Sequence, residues 1–189
     1  MDKRELKTRQ AVFDAISELL MEMDFESITV SDILKRSKIS RSTFYAHFCK
    51  KEDVIHELCD ELFHHVLSPD LKKENGHDFS SYSMFEYKHL LTHLLFHIQE
   101  EKHFVKGINS GSAKAMFYDV LREKLNPLMD ACVRSKTFYR QGIDETLQRK
   151  LFVETFLVIM DDWIEHDCEQ SPLSTADIYY RFITESTIK

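Results

Sequence analysis

The stretch that decides the fold runs from residue 29 to residue 48 and reads TVSDILKRSKISRSTFYAHF. Thr29 is followed three residues later by an acid, the pattern of a capping box that begins a helix. Ser40 is placed to cap a second short helix. Phe44 and Phe48, four residues apart, lie on one side of that second helix and can anchor it to a core. Two short helices joined by a tight turn predict a helix-turn-helix.

The local charge of this stretch differs from that of the whole chain. The 189 residues carry a formal net charge of −7, which on its own argues against a nucleic-acid partner. Residues 33–51, however, contain six Lys or Arg residues and neither Asp nor Glu. Because contacts to phosphate act over short distances at cellular salt, this basic island can bind DNA within an acidic protein.

The second short helix has the side chains that a recognition helix needs. Arg41, Ser42 and Thr43 fall in its first turn, the part that enters the major groove. Arg41 can pair with guanine, and Thr43 can meet thymine or phosphate. Tyr45 and His47 follow, where they can donate hydrogen bonds to the DNA backbone. With the residues that start the neighbouring helices, the predicted DNA-binding set is Thr29, Ser40, Arg41, Ser42, Thr43, Tyr45, His47 and Lys51.

These motifs, together with Lys51-Glu52-Asp53, resemble the DNA-binding domain of the tetracycline-repressor (TetR) family over roughly the first third of the chain. The resemblance implies an all-helical homodimer whose variable C-terminal part binds a small effector or a partner. It also implies that the positions of Thr29, Tyr45, His47 and Lys51 hold phosphates.

The sequence departs from the family pattern at two positions where glycine is common. Asp24 follows the first helix, and we expect it to tolerate a left-handed conformation. Lys38 lies in the turn between the two short helices. If Lys38 is left-handed, it costs about 1–2 kcal/mol relative to glycine.

The rest of the chain is predicted to be helical. Only 4 Gly and 3 Pro occur in 189 residues, too few for the turns of a β fold. We predict an all-α fold of about nine helices, with an irregular piece at residues 105–111 and a loop at 68–83. Residues 1–67 form the helix-turn-helix domain with its connecting helix, and residues 68–189 form a helical dimerisation and effector-binding domain.

Residues 151–160 are apolar except at two positions, so a helix there must be covered on both sides. One side of this helix can pack against the core, and the other side can contact a second subunit, so that this helix and the last helix of each subunit form a four-helix interface. The alternative is that both sides are buried within a monomer. A two-fold protein also suits two half-sites on DNA. The predicted dimer residues are Phe152, Phe156, Ile159, Trp163, Tyr179, Phe182 and Ile183.

Two features of the C-terminal region leave alternatives open. His89, His93 and His97 recur every four residues and could chelate zinc, but leucines fill the opposite arc. We therefore interpret the stripe as the polar face of an amphipathic helix or as its border with the core, and we predict neither metal nor cofactor. Aromatic residues could line an effector cavity or form ordinary core. They are Phe85, Tyr87, Phe96, Phe104, Phe117, Tyr118, Phe138, Phe152 and Trp163.

The remaining sequence features bear on the location of the protein in the cell and on whether it is an enzyme. The four cysteines show no metal-ligand spacing, and there is neither a signal peptide nor an apolar run of membrane-spanning length, which predicts a cytoplasmic protein. No catalytic motif is present, so an enzyme is not predicted. We predict a transcriptional repressor that binds a palindromic double-stranded operator as a homodimer and is released by a small-molecule effector. The alternatives are a co-regulator acting through protein contacts and a metal-responsive regulator.

Overall fold

The structure, a computed structural model, describes residues 3–67, 78 and 87–184, and the side chains of residues 3, 4 and 87–89 lie outside this description. The predicted all-α fold is confirmed, since the described residues form nine α-helices. The predicted loop at 68–83 lies outside the described residues except for Asp78. The helices are α1 (Lys3–Leu20), α2 (Val30–Ser37), α3 (Arg41–Tyr45), α4 (Glu52–Val66), α5 (Tyr87–Glu100), α6 (Lys102–Asn109), α7 (Lys114–Arg134), α8 (Glu145–Glu165) and α9 (Pro172–Thr184).

Local capping begins α2 and α3 where the sequence predicts. The Thr29 N–H donates to Asp32 Oδ2 at 2.9 Å, and the Asp32 N–H donates to Thr29 Oγ1 at 3.2 Å, which completes the capping box. Ser40 Oγ accepts from the Thr43 N–H at 3.1 Å and caps α3. Both helices therefore start from short-range bonds that the chain can form before it packs.

The turn between these helices contains a strained residue. Lys38 ends α2 in the left-handed region, with φ 57° and ψ 28°, so the cost considered for that conformation applies. Asp24 does not adopt the left-handed conformation that it was expected to tolerate, because it is extended, with φ −62° and ψ 146°. Asp24 instead caps a 3₁₀ turn at Phe25–Ser27, where its Oδ1 accepts from the Glu26 N–H at 2.9 Å.

We expect Lys38→Gly to raise the free energy of unfolding by about 0.5–1 kcal/mol. Relief of about 1–2 kcal/mol of left-handed strain exceeds the extra backbone entropy that glycine loses, about 0.5–1 kcal/mol. Urea denaturation followed by circular dichroism measures the change. Lys38→Ala is the control, because it removes the same charge and keeps the strain. A glycine variant no more stable than the alanine variant would contradict the strain argument.

The predicted irregular piece at 105–111 is wrong for most of its length, because α6 extends to Asn109. Phe104, Val105 and Ile108 are buried on α6, which packs against α1 and α8. Gly107 does not end this helix, although glycine often ends helices. Here it serves a close helix crossing: a Cβ on Gly107 would lie 2.7 Å from Leu20 Cβ of α1.

A second contact joins the N-terminal helices to the C-terminal region beside this crossing. Asp24 Oδ2 accepts from the Ser112 N–H at 3.0 Å, and Asp24 Oδ1 accepts from the Ser112 hydroxyl at 2.6 Å. The hydrogen bonds from Ser112 and from the Glu26 N–H hold the pKa of the Asp24 carboxyl below its usual value. Buried residues on both sides of this contact belong to one connected core.

Three C-terminal helices build the rest of the core. Helix α8 lies between α7 and α9, and α9 also packs against α5. Inside this group Tyr179 donates its hydroxyl to the Phe152 carbonyl at 3.2 Å, and the Trp163 indole N–H donates to the Gln170 carbonyl at 2.9 Å. Among the described helices, none is both long and apolar enough to cross a membrane.

Candidate DNA-binding site

Helix α3 presents one face to solvent and fixes the other in the core. Phe44 and Phe48 are 0% and 1% exposed, with ring centroids 5.2 Å apart. Arg41 and Ser42 are exposed, and Tyr45 is 47% exposed. A polar surface on a rigidly anchored short helix is the arrangement that reads base edges in a helix-turn-helix.

Four of the predicted hydroxyl groups form hydrogen bonds within the protein, and two of them cap helices. Ser40 Oγ lies 2.7 Å from Thr43 Oγ1 and 2.9 Å from Ser42 Oγ, in addition to capping α3. Thr29 Oγ1 donates to Asp32 Oδ2 at 2.6 Å. Ser40 and Thr29 are therefore structural caps first, and a phosphate contact by either hydroxyl requires an exchange of partners.

The Lys51 side chain is used inside the protein. Its Nζ donates to the carbonyls of Phe25, Glu26 and Ile28 at 2.7, 3.0 and 2.8 Å, which uses all three ammonium donors. The ammonium also lies 4.7 Å from the centre of the Phe25 ring. This geometry speaks against the predicted phosphate contact by the Lys51 ammonium, because the side chain ties the start of α4 to the turn before α2.

His47 is less open than Tyr45. Its side chain is 18% exposed, and its Nδ1 lies 4.0 Å from Glu5 Oε1 of α1. A salt bridge of 2.6 Å between Arg9 and Glu57 links α1 to α4 in the same region. His47 therefore lies against α1, at the side of the recognition surface.

Ion pairs reduce the positive charge that the basic island, residues 33–51, leaves uncompensated. Arg36 donates to Glu18 at 3.0 Å and to Glu22 at 2.9 Å, so its charge is balanced by α1 and the turn after it. Four exposed cations form no salt bridge within the described residues. They are Lys35, Lys38, Arg41 and Lys50. These four carry the local positive charge that can meet phosphates.

Most predicted dimer residues are inside the chain's own core. Phe152, Phe156, Trp163, Tyr179 and Ile183 are at most 5% exposed within a single chain. The sequence analysis did not show which side of α8 the chain itself covers, because residues 151–160 are apolar nearly all round and give no periodic signal. Of the predicted set, Ile159 is half-buried and Phe182 is 70% exposed.

The remaining apolar surface of α8 and α9 is a distinct face. This face has five residues, and only Phe182 among them belongs to the predicted dimer set. Spacings of four and seven residues place its members on one side of each helix. We call this set the α8–α9 face: Leu147, Leu151, Val158, Ile178 and Phe182, each 46–70% exposed.

The predicted aromatic set is mainly core. Phe104, Phe117, Tyr118, Phe138, Phe152 and Trp163 are at most 9% exposed, Phe96 is half-buried, and the side chains of Phe85 and Tyr87 lie outside the description. A surface cleft of about 540 Å³ between α7 and α8 is lined by Tyr118 and mostly by polar or small residues. Burial alone would raise the pKa of Asp161 in this cleft, but hydrogen bonds from Lys114, Asn109 and Tyr118 leave it lowered.

Of the two interpretations of the histidine stripe, the polar helix face is wrong for His93, which is only 2% exposed, and the border with the core agrees with the half-buried His97. Helix α5 is enclosed by α4, α6 and α9, so it has little free surface. His93 and His97 lie beside His65 of α4, which the sequence pattern did not reveal. The side chain of His89 lies outside the description.

Comparisons with known proteins agree with this fold and site. Residues 12–58 match the family model described as bacterial regulatory proteins, tetR family. Over 71 residues the chain is 37% identical to the uncharacterized HTH-type transcriptional regulator YxbF of Bacillus subtilis (strain 168). This match covers 35% of the chain and 19% of the relative, so the chain spans about a fifth of the relative's length.

Two solved structures share the fold over nearly the whole chain. A TetR transcriptional regulator from Streptococcus agalactiae 2603V superposes with a TM-score of 0.67, at 23% identity, over 97% of each chain. The dihydroxyacetone kinase operon activator DhaS gives a TM-score of 0.64, at 17% identity, over 93% of each chain. At these identities the likeness establishes the fold alone.

Proposed function

Because this chain belongs to the tetR family of bacterial regulatory proteins, we propose that it is a repressor that binds a palindromic operator as a homodimer and is released by an effector. The family consists of regulators rather than enzymes, in agreement with the sequence. The observation that carries the proposal is the exposed set Arg41, Ser42 and Tyr45 on a helix held by two buried phenylalanines.

Base reading is assigned to the start of α3. Arg41 is exposed and forms no salt bridge within the described residues, so its guanidinium is available to a guanine edge. Tyr45 lies one turn later and can donate its hydroxyl to a phosphate. Lys35, Lys38 and Lys50 surround them and supply charge that does not depend on sequence.

We assign the homodimer interface, where a second copy of the chain would bind, to the α8–α9 face. Exposed apolar side chains that recur on one side of two adjacent helices indicate an interface. A second copy of this chain is the occupant that fits, because a palindromic operator requires a two-fold protein. Two α8–α9 pairs would then form a four-helix interface.

The test uses genomic DNA that the purified protein retains, sequenced to find the operator and then used in electrophoretic shifts. We expect Arg41→Ala to weaken binding about 5–150-fold and to relax preference at one base pair, since a bidentate pair contributes about 1–3 kcal/mol. Tyr45→Ala should weaken binding to all sequences. The matched control is Tyr139→Ala, because Tyr139 is 44% exposed and lies far along the chain, just after α7.

Unchanged shifts for both Arg41→Ala and Tyr45→Ala would overturn the recognition assignment. A reporter fused to the operator tests the direction of regulation. Deleting the protein should raise reporter expression, because a dimer bound across a promoter blocks polymerase. A fall in expression would instead identify an activator.

A further inference from the structure

Three imidazoles from two helices meet at the end of α4. His65 belongs to the last turn of α4, and His93 and His97 lie one turn apart on α5. One ring nitrogen from each of the three lies within 4.8 Å of the other two. The ring centroids are 5.2 Å apart for His65 and His93, 4.6 Å for His65 and His97, and 4.7 Å for His93 and His97.

These distances are close to those of a zinc site. With zinc–nitrogen bonds of about 2.0–2.1 Å, the nitrogens of a tetrahedral site lie about 3.3–3.4 Å apart. Nε2 of His93 and Nε2 of His97 are already 2.9 Å apart. Small rotations of the rings are therefore enough to direct three lone pairs at one ion, without a movement of the helices.

A carboxylate orients one of the rings. Nδ1 of His97 lies 2.9 Å from Glu100 Oε2, so Nδ1–H can donate to Glu100 while Nε2 keeps its lone pair. Histidine ligands of metals commonly donate their other N–H to a carboxylate in this way. The ring of His93 is 2% exposed, so the surrounding core limits it to small rotations.

We propose that His65, His93 and His97 bind one divalent transition-metal ion, zinc being the ion that the three nitrogens fit best. Three neutral imidazoles in a tetrahedral arrangement leave the fourth position for water or a small anion. The ion joins the C-terminal end of α4 to α5.

The position of the site connects it to DNA binding. Helix α4 packs against α1, and Lys51 at its other end holds the turn before α2. Tying α4 to α5 thus fixes the helix-turn-helix against the C-terminal region. We infer that metal binding changes operator affinity; this last step rests on the proposed function, whereas the metal site does not.

The experiment uses the full chain without an affinity tag, freed of metal with a chelator and titrated with zinc by calorimetry. We expect one zinc per chain. A hundredfold excess of zinc over its Kd should raise the Tm by about 5–10 °C, because the ion binds the folded state. Cobalt should give the visible spectrum of a tetrahedral site.

His65→Ala should abolish stoichiometric binding, and because His65 is partly exposed this variant is expected to fold. His97→Ala provides a second test, and Glu100→Gln should weaken zinc binding about 10–100-fold. The matched control is His64→Ala, the adjacent and exposed histidine of α4, which should bind zinc as the wild type does.

Zinc binding that survives both His65→Ala and His97→Ala, or a wild type that binds none, would overturn the site. Equal operator affinity with and without one equivalent of zinc would overturn the regulatory step. Both results leave the Arg41 and Tyr45 test of DNA binding untouched. A wild type that retains no operator DNA, or unchanged shifts for both Arg41→Ala and Tyr45→Ala, with zinc still bound by the three histidines, would overturn the proposed function alone.

Discussion

Phe182→Asp is expected to convert the proposed homodimer into a monomer and to lower operator affinity by about 100–10,000-fold. That range is the avidity gained when two linked half-site contacts replace one. Phe182 is 70% exposed in the single chain, so the substitution leaves the monomer core intact. In the dimer the carboxylate would be buried in an apolar interface without a partner, which strongly disfavours association.

The measurement is molar mass by light scattering across a concentration series, followed by electrophoretic shifts. The matched control is Leu173→Asp. Leu173 is 62% exposed on the same helix, and nine residues of helix place it on the opposite side from Phe182. A dimer that persists in Phe182→Asp and dissociates in Leu173→Asp would assign the interface to the other side of α9.

Phe44→Ala is expected to destabilise the helix-turn-helix by about 3–5 kcal/mol, the usual cost of removing a fully buried phenylalanine. Phe44 is 0% exposed, and its ring contacts those of Tyr45 and Phe48 at centroid distances of 5.4 and 5.2 Å. Helix α3 has only five residues, so it depends on this anchor rather than on its own hydrogen bonds.

Urea denaturation measures the loss, and hydrogen exchange locates it in α2 and α3. Tyr45→Ala is the control from the same helix, because it removes an aromatic ring that is half in solvent. It should change stability little and DNA affinity strongly, whereas Phe44→Ala should lower both. Equal stability losses for the two variants would mean that Phe44 does not anchor the recognition helix.

The features that sequence reasoning predicted correctly depend on neighbours within four residues. The capping box at Thr29 and the cap at Ser40 are formed by groups three residues apart. Such features have fixed spacing, so a single sequence is enough to locate them.

The features that it missed depend on contacts between distant segments. Lys51 meets carbonyls 23–26 residues away, and its charge gives no sign of that use. His65 joins a stripe that lies about thirty residues later, so spacing along one helix could not include it. The exposed side of α8 could not be chosen because residues 151–160 in the middle of that helix are apolar nearly all round.

The crossing of α1 and α6 has a consequence for how this protein could be recombined with its relatives. Gly107 gives Leu20 the space it occupies, and Ser112 donates two hydrogen bonds to Asp24. A helix-turn-helix domain cut out at the end of α4 would lack both Gly107 and Ser112. We therefore expect an exchange of DNA specificity between relatives to work best when residues 107–112 are transferred together with residues 1–67. The segment to be exchanged is then discontinuous in the sequence.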